Sequence, residues 1–114
     1  MMQARNSLSR YTAGDLFDLT QRVYENRATD LQRKEFLDRQ ALPNFLETIG
    51  VVEGKVGALP IELVSELWGS AVIVTWKTWA PAVRFLRNQP SGEQTYANLQ
   101  RLKRRIKSYR ARAA

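Results

Sequence analysis

The sequence predicts an all-α fold, a small bundle of four to five helices around a long kinked central helix at about residues 60–88. Apolar residues recur in this segment at steps of three and four, which is the period of a helix. They form two neighbouring stripes, so the helix is apolar around most of its girth and is expected to be buried. The first stripe contains Ile61, Val64, Trp68, Val72, Thr75, Trp79 and Val83, and the second contains Leu63, Leu67, Ala71 and Val74.

Two prolines bear on the limits of the central helix. Pro60 suits the first helical position, because its φ is already helical and its missing N–H would be unpaired there. Pro81 conflicts with the carbonyl one turn earlier, so we expect a kink and two segments, at about 60–79 and 81–88. The uncharged window, residues 67–76, is only 10 residues long. A membrane-spanning helix needs about 20 apolar residues, so no transmembrane segment is expected.

Capping patterns predict two helices before the central one. Thr12, with Asp15 three residues later, can cap a first helix that ends near Asn26. Residues 1–11 are polar and are expected to be a flexible N-terminus. A capping box beginning at Thr29 opens the second helix. The residues of the second helix expected to face inward are Leu31, Phe36 and Leu37.

Proline and glycine suggest a further division before the central helix. Pro43 disfavours helical angles at the preceding residue, so the second helix is expected either to break or to bend there. A short third helix should run from Pro43 to Ile49 and stop at Gly50, because glycine is common just after a helix end. Residues 51–58 then read as a loop that could hold a short extended pair.

The last helix follows a turn at residues 88–92 and is expected to begin at Ser91 or Gly92. Lys and Arg flank its single apolar stripe on both sides. The single helical domain is therefore expected to span residues 12–109, followed by a loose basic C-terminus at 110–114. The stripe consists of Tyr96, Leu99, Leu102, Ile106 and Tyr109.

Composition excludes several kinds of chemistry. The 114 residues suffice for one domain and include no Cys and no His. Disulfides, thiolate metal sites, Ser-His-Asp catalysis and most zinc sites are therefore excluded. Residues 1–13 contain no apolar run typical of a signal peptide, so a cytoplasmic location is expected, with peripheral membrane association possible. No cofactor and no metal are predicted.

Carboxylates offer the one remaining route to catalysis. Glu62 with Glu66, or Glu47 with Glu53, could bind a hard cation or divide acid and base roles. Such pairs on a helix are more commonly solvated surface residues. We therefore predict that the protein is not an enzyme.

The charge excess lies in the last helix. The net charge is +7, and residues 1–100 are neutral, with 11 acidic and 11 basic residues. A basic helix can bind nucleic acid or an anionic membrane surface, or can simply be a solvated helix that keeps a small protein soluble. The candidate polyanion-binding residues are Arg101, Lys103, Arg104, Arg105, Lys107, Arg110 and Arg112.

The tryptophans provide a second candidate site. Trp68 and Trp79 share the main stripe and are expected in the core. Trp76 lies about 80° from Trp68 around the helix, so it is either another core residue or a partly exposed anchor for a partner. The composition favours a non-enzymatic helical interaction module that binds a protein partner or itself. The alternative is polyanion binding through the basic helix.

Residues 44–102 resemble a bacterial and phage family known as domain of unknown function 4760. Order and spacing agree without gaps from Gly57 to Arg87. Members of that family often carry an N-terminal hydrophobic membrane helix, which this sequence lacks, and Pro60 replaces their acidic helix cap. The resemblance implies a helical fold and a bacterial or phage origin, and it supplies no catalytic residue. The shared pattern is Asn44-Phe45-Leu46-Glu47, Ile49-Gly50, Gly57, Glu62-Leu63-Val64, Leu67, Gly69, Ile73, Trp76, Pro81, Val83, Tyr96-x-Asn98 and Leu102.

Overall fold

The computed structural model describes residues 12–114, which form four helices and no strand. The predicted all-α bundle around a long central helix is confirmed. The predicted flexible N-terminus, residues 1–11, lies outside the described residues. In chain order the helices are α1 (Ala13–Tyr24), α2 (Asp30–Val51), α3 (Ile61–Arg87) and α4 (Ala97–Ala113), and a π-helical turn (Val52–Val56) continues α2.

Helix α3 is the centre of the bundle, and α1, α2 and α4 all contact it. The rings of Phe36 in α2 and Trp79 in α3 have centroids 6.2 Å apart, and those of Phe45 and Trp68 are 6.0 Å apart. Residue numbers rise along α2 as they fall along α3, so these two helices are antiparallel. The fully buried apolar side chains of the core come from all four helices and include Leu16, Leu46, Val64, Val72, Val83, Leu99, Leu102 and Ile106.

The predicted starts of the first two helices are confirmed. The Thr12 hydroxyl accepts the Asp15 N–H at 3.1 Å, and the Asp15 carboxylate accepts the Thr12 N–H. Thr29 and Gln32 make the same reciprocal pair at the start of α2. Each pair satisfies two backbone donors that have no partner inside the helix. The hydrogen bonds to Thr12 lower the pKa of the Asp15 carboxyl.

Neither internal proline ends a helix. Helix α2 continues through Pro43 and α3 continues through Pro81, so the predicted third helix at 43–49 and the division of α3 into two segments are wrong. A proline inside a helix costs roughly 3 kcal/mol. Buried side chains on both sides of each proline outweigh this cost, among them Phe36 and Leu46 in α2 and Trp79 and Val83 in α3.

Gly50 does not stop α2, and residues 51–58 are not an extended pair. Helical geometry continues past Gly50 into the π-helical turn, and the segment ends at Gly57, whose φ of 71° is left-handed. Glycine adopts that conformation without steric cost. Gly50 has a packing role instead, because a Cβ there would lie 2.6 Å from the Asn98 carbonyl oxygen.

Helix α4 begins later and ends later than predicted. Residues 88–96 form successive turns, and the helix starts at Ala97 rather than at Ser91 or Gly92. The Arg87 side chain donates to the Thr95 carbonyl at 3.0 Å and holds these turns against α3. The helix then runs to Ala113, so most of the segment 110–114, expected to be loose, is helical.

The two apolar stripes of α3 have different environments. The first supplies core residues such as Val64, Val72 and Trp79. The second is exposed, with Leu67 at 58% and Val74 at 62% of full exposure, so the prediction that α3 is buried around most of its girth is wrong. Only one side of α3 is covered by α1, α2 and α4. On α2, Phe36 is buried as predicted, whereas Leu31 and Leu37 are exposed.

Candidate interaction surfaces

A ladder of polar contacts joins the second half of α2 to α4. The Tyr96 hydroxyl donates to the Asn44 side-chain oxygen. One turn further along α2, the Glu47 carboxylate accepts the Asn98 side-chain amide at 2.8 Å and the Leu99 backbone N–H at 2.7 Å. Helix α4 has no cap from its own Tyr96 side chain. Glu47 therefore satisfies a first-turn N–H of α4 from another helix.

The ladder continues into the π-helical turn. The Gly50 carbonyl accepts from the Arg101 guanidinium at 2.8 Å, and the Glu53 carboxylate pairs with Arg105 at 2.8 Å. Glu53 is nearly fully buried, although Arg105 is half exposed. The residues of α2 and the π-helical turn that make these contacts are spaced three apart, at positions 44, 47, 50 and 53. Their partners, at 96, 99, 101 and 105, rise in the same order. Helices α2 and α4 therefore run parallel.

Tyr96 lies at the start of this ladder. Burial raises the pKa of its hydroxyl to about 12, and the nearby Glu47 carboxylate adds to the rise. Its ring packs edge to face on Trp79, with 6.0 Å between centroids. The pattern shared with domain of unknown function 4760 has two especially polar parts. One contains Asn44 and Glu47, and the other contains Tyr96 and Asn98. The structure brings them together as a contact between helices.

Three of the seven candidate polyanion-binding residues make polar contacts with other parts of the bundle. Arg101 and Arg105 contact Gly50 and Glu53, as described above. Arg110 donates to both the Ser65 hydroxyl and the Ser65 carbonyl of α3 at 3.2 Å. A Cβ at Gly69 would overlap the Arg110 guanidinium, so this glycine leaves room for it. These arginines fix α4 to its neighbours.

We call the other four basic residues the basic face: Lys103, which is half buried, and Arg104, Lys107 and Arg112, which are exposed. Within residues 12–114 none of them makes an ion pair. Burial lowers the pKa of the Lys103 ammonium, and the positive charges of Lys107 and Arg104 lower it further. Such mutual repulsion means that the cluster gains from any added negative charge.

Trp76 is half buried and packs against the core cluster. The Arg87 guanidinium lies 5.7 Å from the centre of its ring, within the range of a cation–π contact. Part of the indole surface is therefore already covered by the protein's own side chain. Whether the remainder anchors a partner stays a prediction.

Exposed apolar side chains cluster on α2 and α3. We call this set the apolar face: Leu42, Phe45, Leu63, Leu67 and Val74. Leu63 and Leu67 are one turn apart on α3, and Val74 follows two turns after Leu67 on the same side. Phe45 reaches this side from α2 through its ring contact with Trp68.

A groove of about 400 Å³ runs between α2 and α3 beside the apolar face. Leu42 stands on its α2 side and Val74 on its α3 side. Leu16, Pro43 and Trp79 are also part of its lining, and Asp38, Arg39 and Thr78 supply polar groups. The groove therefore joins the α2 and α3 parts of the apolar face.

The carboxylate pairs do not form a metal site in the described part of the chain. Glu62 and Glu66 are exposed on α3, whereas Glu47 and Glu53 are rungs of the polar ladder. No three Asp, Glu, His or Cys side chains within residues 12–114 are grouped so as to hold a metal ion. None of the helices in this range is long and apolar enough to cross a membrane.

No family model, curated protein or solved structure matches this chain. The resemblance to domain of unknown function 4760 therefore stays a prediction that these comparisons do not test.

Sequence reasoning missed the polar ladder and the apolar face. Asn44, Glu47, Gly50 and Glu53 have a regular spacing of three residues, which is a visible signal. Pro43 and Gly50 are local signals of helix boundaries, and they conceal this spacing. The exposed stripe of α3 was identified as apolar, but its solvent exposure depends on where the other helices lie.

Proposed function

We propose that this protein is a non-enzymatic helical interaction module that binds a protein partner or a second copy of itself through the apolar face. The exposure of Leu67 and Val74 on the central helix is the observation that supports it. Apolar groups gain free energy, about 25 cal/mol per Å², when a partner removes them from water. Contiguous exposed apolar side chains are typical of binding surfaces.

The absence of His and Cys from the sequence supports the non-enzymatic part of the proposal, because it removes the commonest general bases and nucleophiles. The expected cytoplasmic location stays part of the same proposal.

Partner capture with matched variants tests the proposal. Leu67→Lys places a charge in the apolar face, and Leu31→Lys makes the same change at an exposed leucine of α2 outside it. Both side chains are exposed, so both variants should fold. We expect a partner crosslinked to the wild-type protein and to Leu31→Lys to be lost from Leu67→Lys. Equal capture by both variants would contradict the proposed surface.

A second candidate function is polyanion binding through the basic face. It is favoured by Lys103, Arg104 and Lys107, none of which makes an ion pair within residues 12–114. The sequence after Glu66 also favours it, because Glu93 is the single acid there. Three neutralised phosphates correspond to a slope of about −3 in log affinity against log salt concentration on duplex DNA.

The test of this second candidate uses charge removal rather than truncation. Deleting the chain after Gln100 would also remove the buried Leu102 and Ile106 and damage the core. Substituting Lys103, Arg104 and Lys107 together by Gln leaves the core intact. Binding of DNA, RNA or anionic vesicles at low salt should be lost in this triple variant. No binding by the wild-type protein at low salt would end this candidate.

A further inference from the structure

We infer that the partner of the apolar face is a second copy of this chain, docked with the two α3 helices antiparallel about a two-fold axis near Ser70 and Ala71. This inference rests on the proposed function, because it identifies the molecule that covers the same surface. The supporting observation is that the exposed residues of α3 in one copy are complementary to those of α3 in an antiparallel second copy.

The apolar residues of α3 are placed symmetrically. In a two-fold interface, if one residue contacts a second across the interface, the second also contacts the first. Leu67 and Val74 lie within about 20° of each other around α3. The midpoint between them falls between Ser70 and Ala71. An antiparallel copy centred there brings Leu67 of one chain against Val74 of the other, twice.

The charges beside this stripe share nearly the same midpoint. Glu66 and Lys77 are both exposed and also lie within about 20° of each other on α3. Their midpoint, between Ala71 and Val72, is about 1.5 Å along the helix from that of the apolar pair. In antiparallel helices each flank faces the same flank of the partner. Glu66 of one chain therefore meets Lys77 of the other, twice.

Both charges are available for such pairs. Within residues 12–114, neither Glu66 nor Lys77 makes an ion pair or a side-chain hydrogen bond. Ser70 and Ala71 stand at the axis, where the helices cross most closely, and their small side chains permit close approach. A parallel arrangement would lack the Glu66 to Lys77 contact, because opposite flanks of the two helices would then face each other.

The opposite flank adds apolar contact. On that side α2 lies beside α3. Leu42 borders the groove, and the Phe45 ring packs against the Trp68 ring. The two-fold axis places these residues of the two copies on the same side of the paired α3 helices. The dimer contact thus combines one charged flank, a central apolar stripe and one apolar flank.

Analytical ultracentrifugation across a concentration series, with charge-swap variants, tests the inference. The wild-type chain should dimerise. Glu66→Lys and Lys77→Glu should each raise the dimer Kd about tenfold, since each creates two like-charge contacts. The double variant Glu66→Lys with Lys77→Glu should return the Kd to within about threefold of wild type, because it restores both pairs in reversed order. Leu67→Lys should raise the Kd about a hundredfold or more.

The controls separate this inference from the broader proposal. Circular dichroism and thermal unfolding of each variant check that these surface substitutions leave the fold intact. A dimer that is indifferent to Leu67→Lys, or whose single charge variants are not rescued by the double variant, would overturn the antiparallel contact. A chain that stays monomeric to about 1 mM would overturn self-association, although partner capture dependent on Leu67 would still support the proposed function.

Discussion

The Glu47 carboxylate of α2 accepts the Leu99 backbone N–H of α4 at 2.7 Å and thereby caps a helix that lies about 50 residues further along the chain. The same carboxylate also accepts the Asn98 side-chain amide. The Glu47 side chain therefore supplies an acceptor to the N-terminus of α4 and also orients the Asn98 side chain. The contact links the two halves of the protein.

We expect Glu47→Ala to lower the free energy of unfolding by about 2 to 3 kcal/mol. The substitution leaves the Leu99 N–H and the Asn98 amide without their charged acceptor, and hydrogen bonds to charged groups are worth roughly that amount. Urea denaturation measures the change. Glu93→Ala, at an exposed glutamate in the preceding turns, is the matched control and should change stability by under about 0.5 kcal/mol. Equal effects at both positions would refute the capping role.

Substitutions of the two classes of basic residue on α4 should differ in their effect on the free energy of unfolding. Arg105→Ala removes the partner of Glu53, whose side chain is only 4% exposed, and should cost about 3 kcal/mol. Arg104→Ala removes an exposed charge and should be nearly neutral. Adding Glu53→Gln to Arg105→Ala should recover part of the loss, because it removes the unpaired buried charge. The same denaturation experiment applies, and a neutral Arg105→Ala would show that the pair is dispensable.

Gly50→Ala should destabilise the protein by about 1 to 3 kcal/mol, because the new methyl group would meet the Asn98 backbone at 2.6 Å and force α2 and α4 apart. Gly14→Ala provides the control. Among residues 12–114, its Cβ would meet only the Thr12 hydroxyl, at an ordinary 3.7 Å, and alanine favours a helix more than glycine does. Thermal unfolding should therefore move in opposite directions for the two variants, and a shift in the same direction would argue against the close contact at Gly50.

The ladder should also weaken at high pH. The Tyr96 hydroxyl has its pKa raised from 10.0 to about 12 in the folded protein, so the folded state holds this proton more tightly than the unfolded state does. This contribution to stability is complete below pH 10 and is lost as the pH rises from 10 toward 12. Tyr96→Phe removes the titrating group.

Denaturation curves at intervals between pH 9 and 12 check this expectation. Stability of the wild-type protein should fall more steeply than that of Tyr96→Phe over this range, because only the wild-type protein carries the Tyr96 hydroxyl. Parallel pH profiles would mean that Tyr96 titrates normally.

Local signals predicted the parts of the fold that depend on neighbouring residues. Thr12 and Thr29 cap helices because their partners lie three residues away. The helical period of residues 61–87 can be read from that segment alone. Pro43 and Pro81 gave wrong boundaries because their local cost is outweighed by side chains packed from other helices. Packing of that kind cannot be read from adjacent residues.

The candidate surfaces show the same limit. The basic character of α4 was evident from composition, but its division into Arg105, which binds Glu53, and Arg104, which faces solvent, depends on a contact 52 residues distant in sequence. Likewise Val72 and Val74 are both apolar residues of α3, and only the placement of the other helices leaves Val74 exposed.

The regular spacing of the polar ladder gives α4 a single permitted alignment. The apolar side chains Leu99, Leu102 and Ile106 alone would tolerate a slide of one helical turn, since similar groups would replace one another. Such a slide would part Glu47 from Leu99 and Glu53 from Arg105 simultaneously. These polar contacts therefore fix the register of α4 against α2. Substitutions among them should produce folded forms in which α4 is shifted, as well as proteins of lower stability.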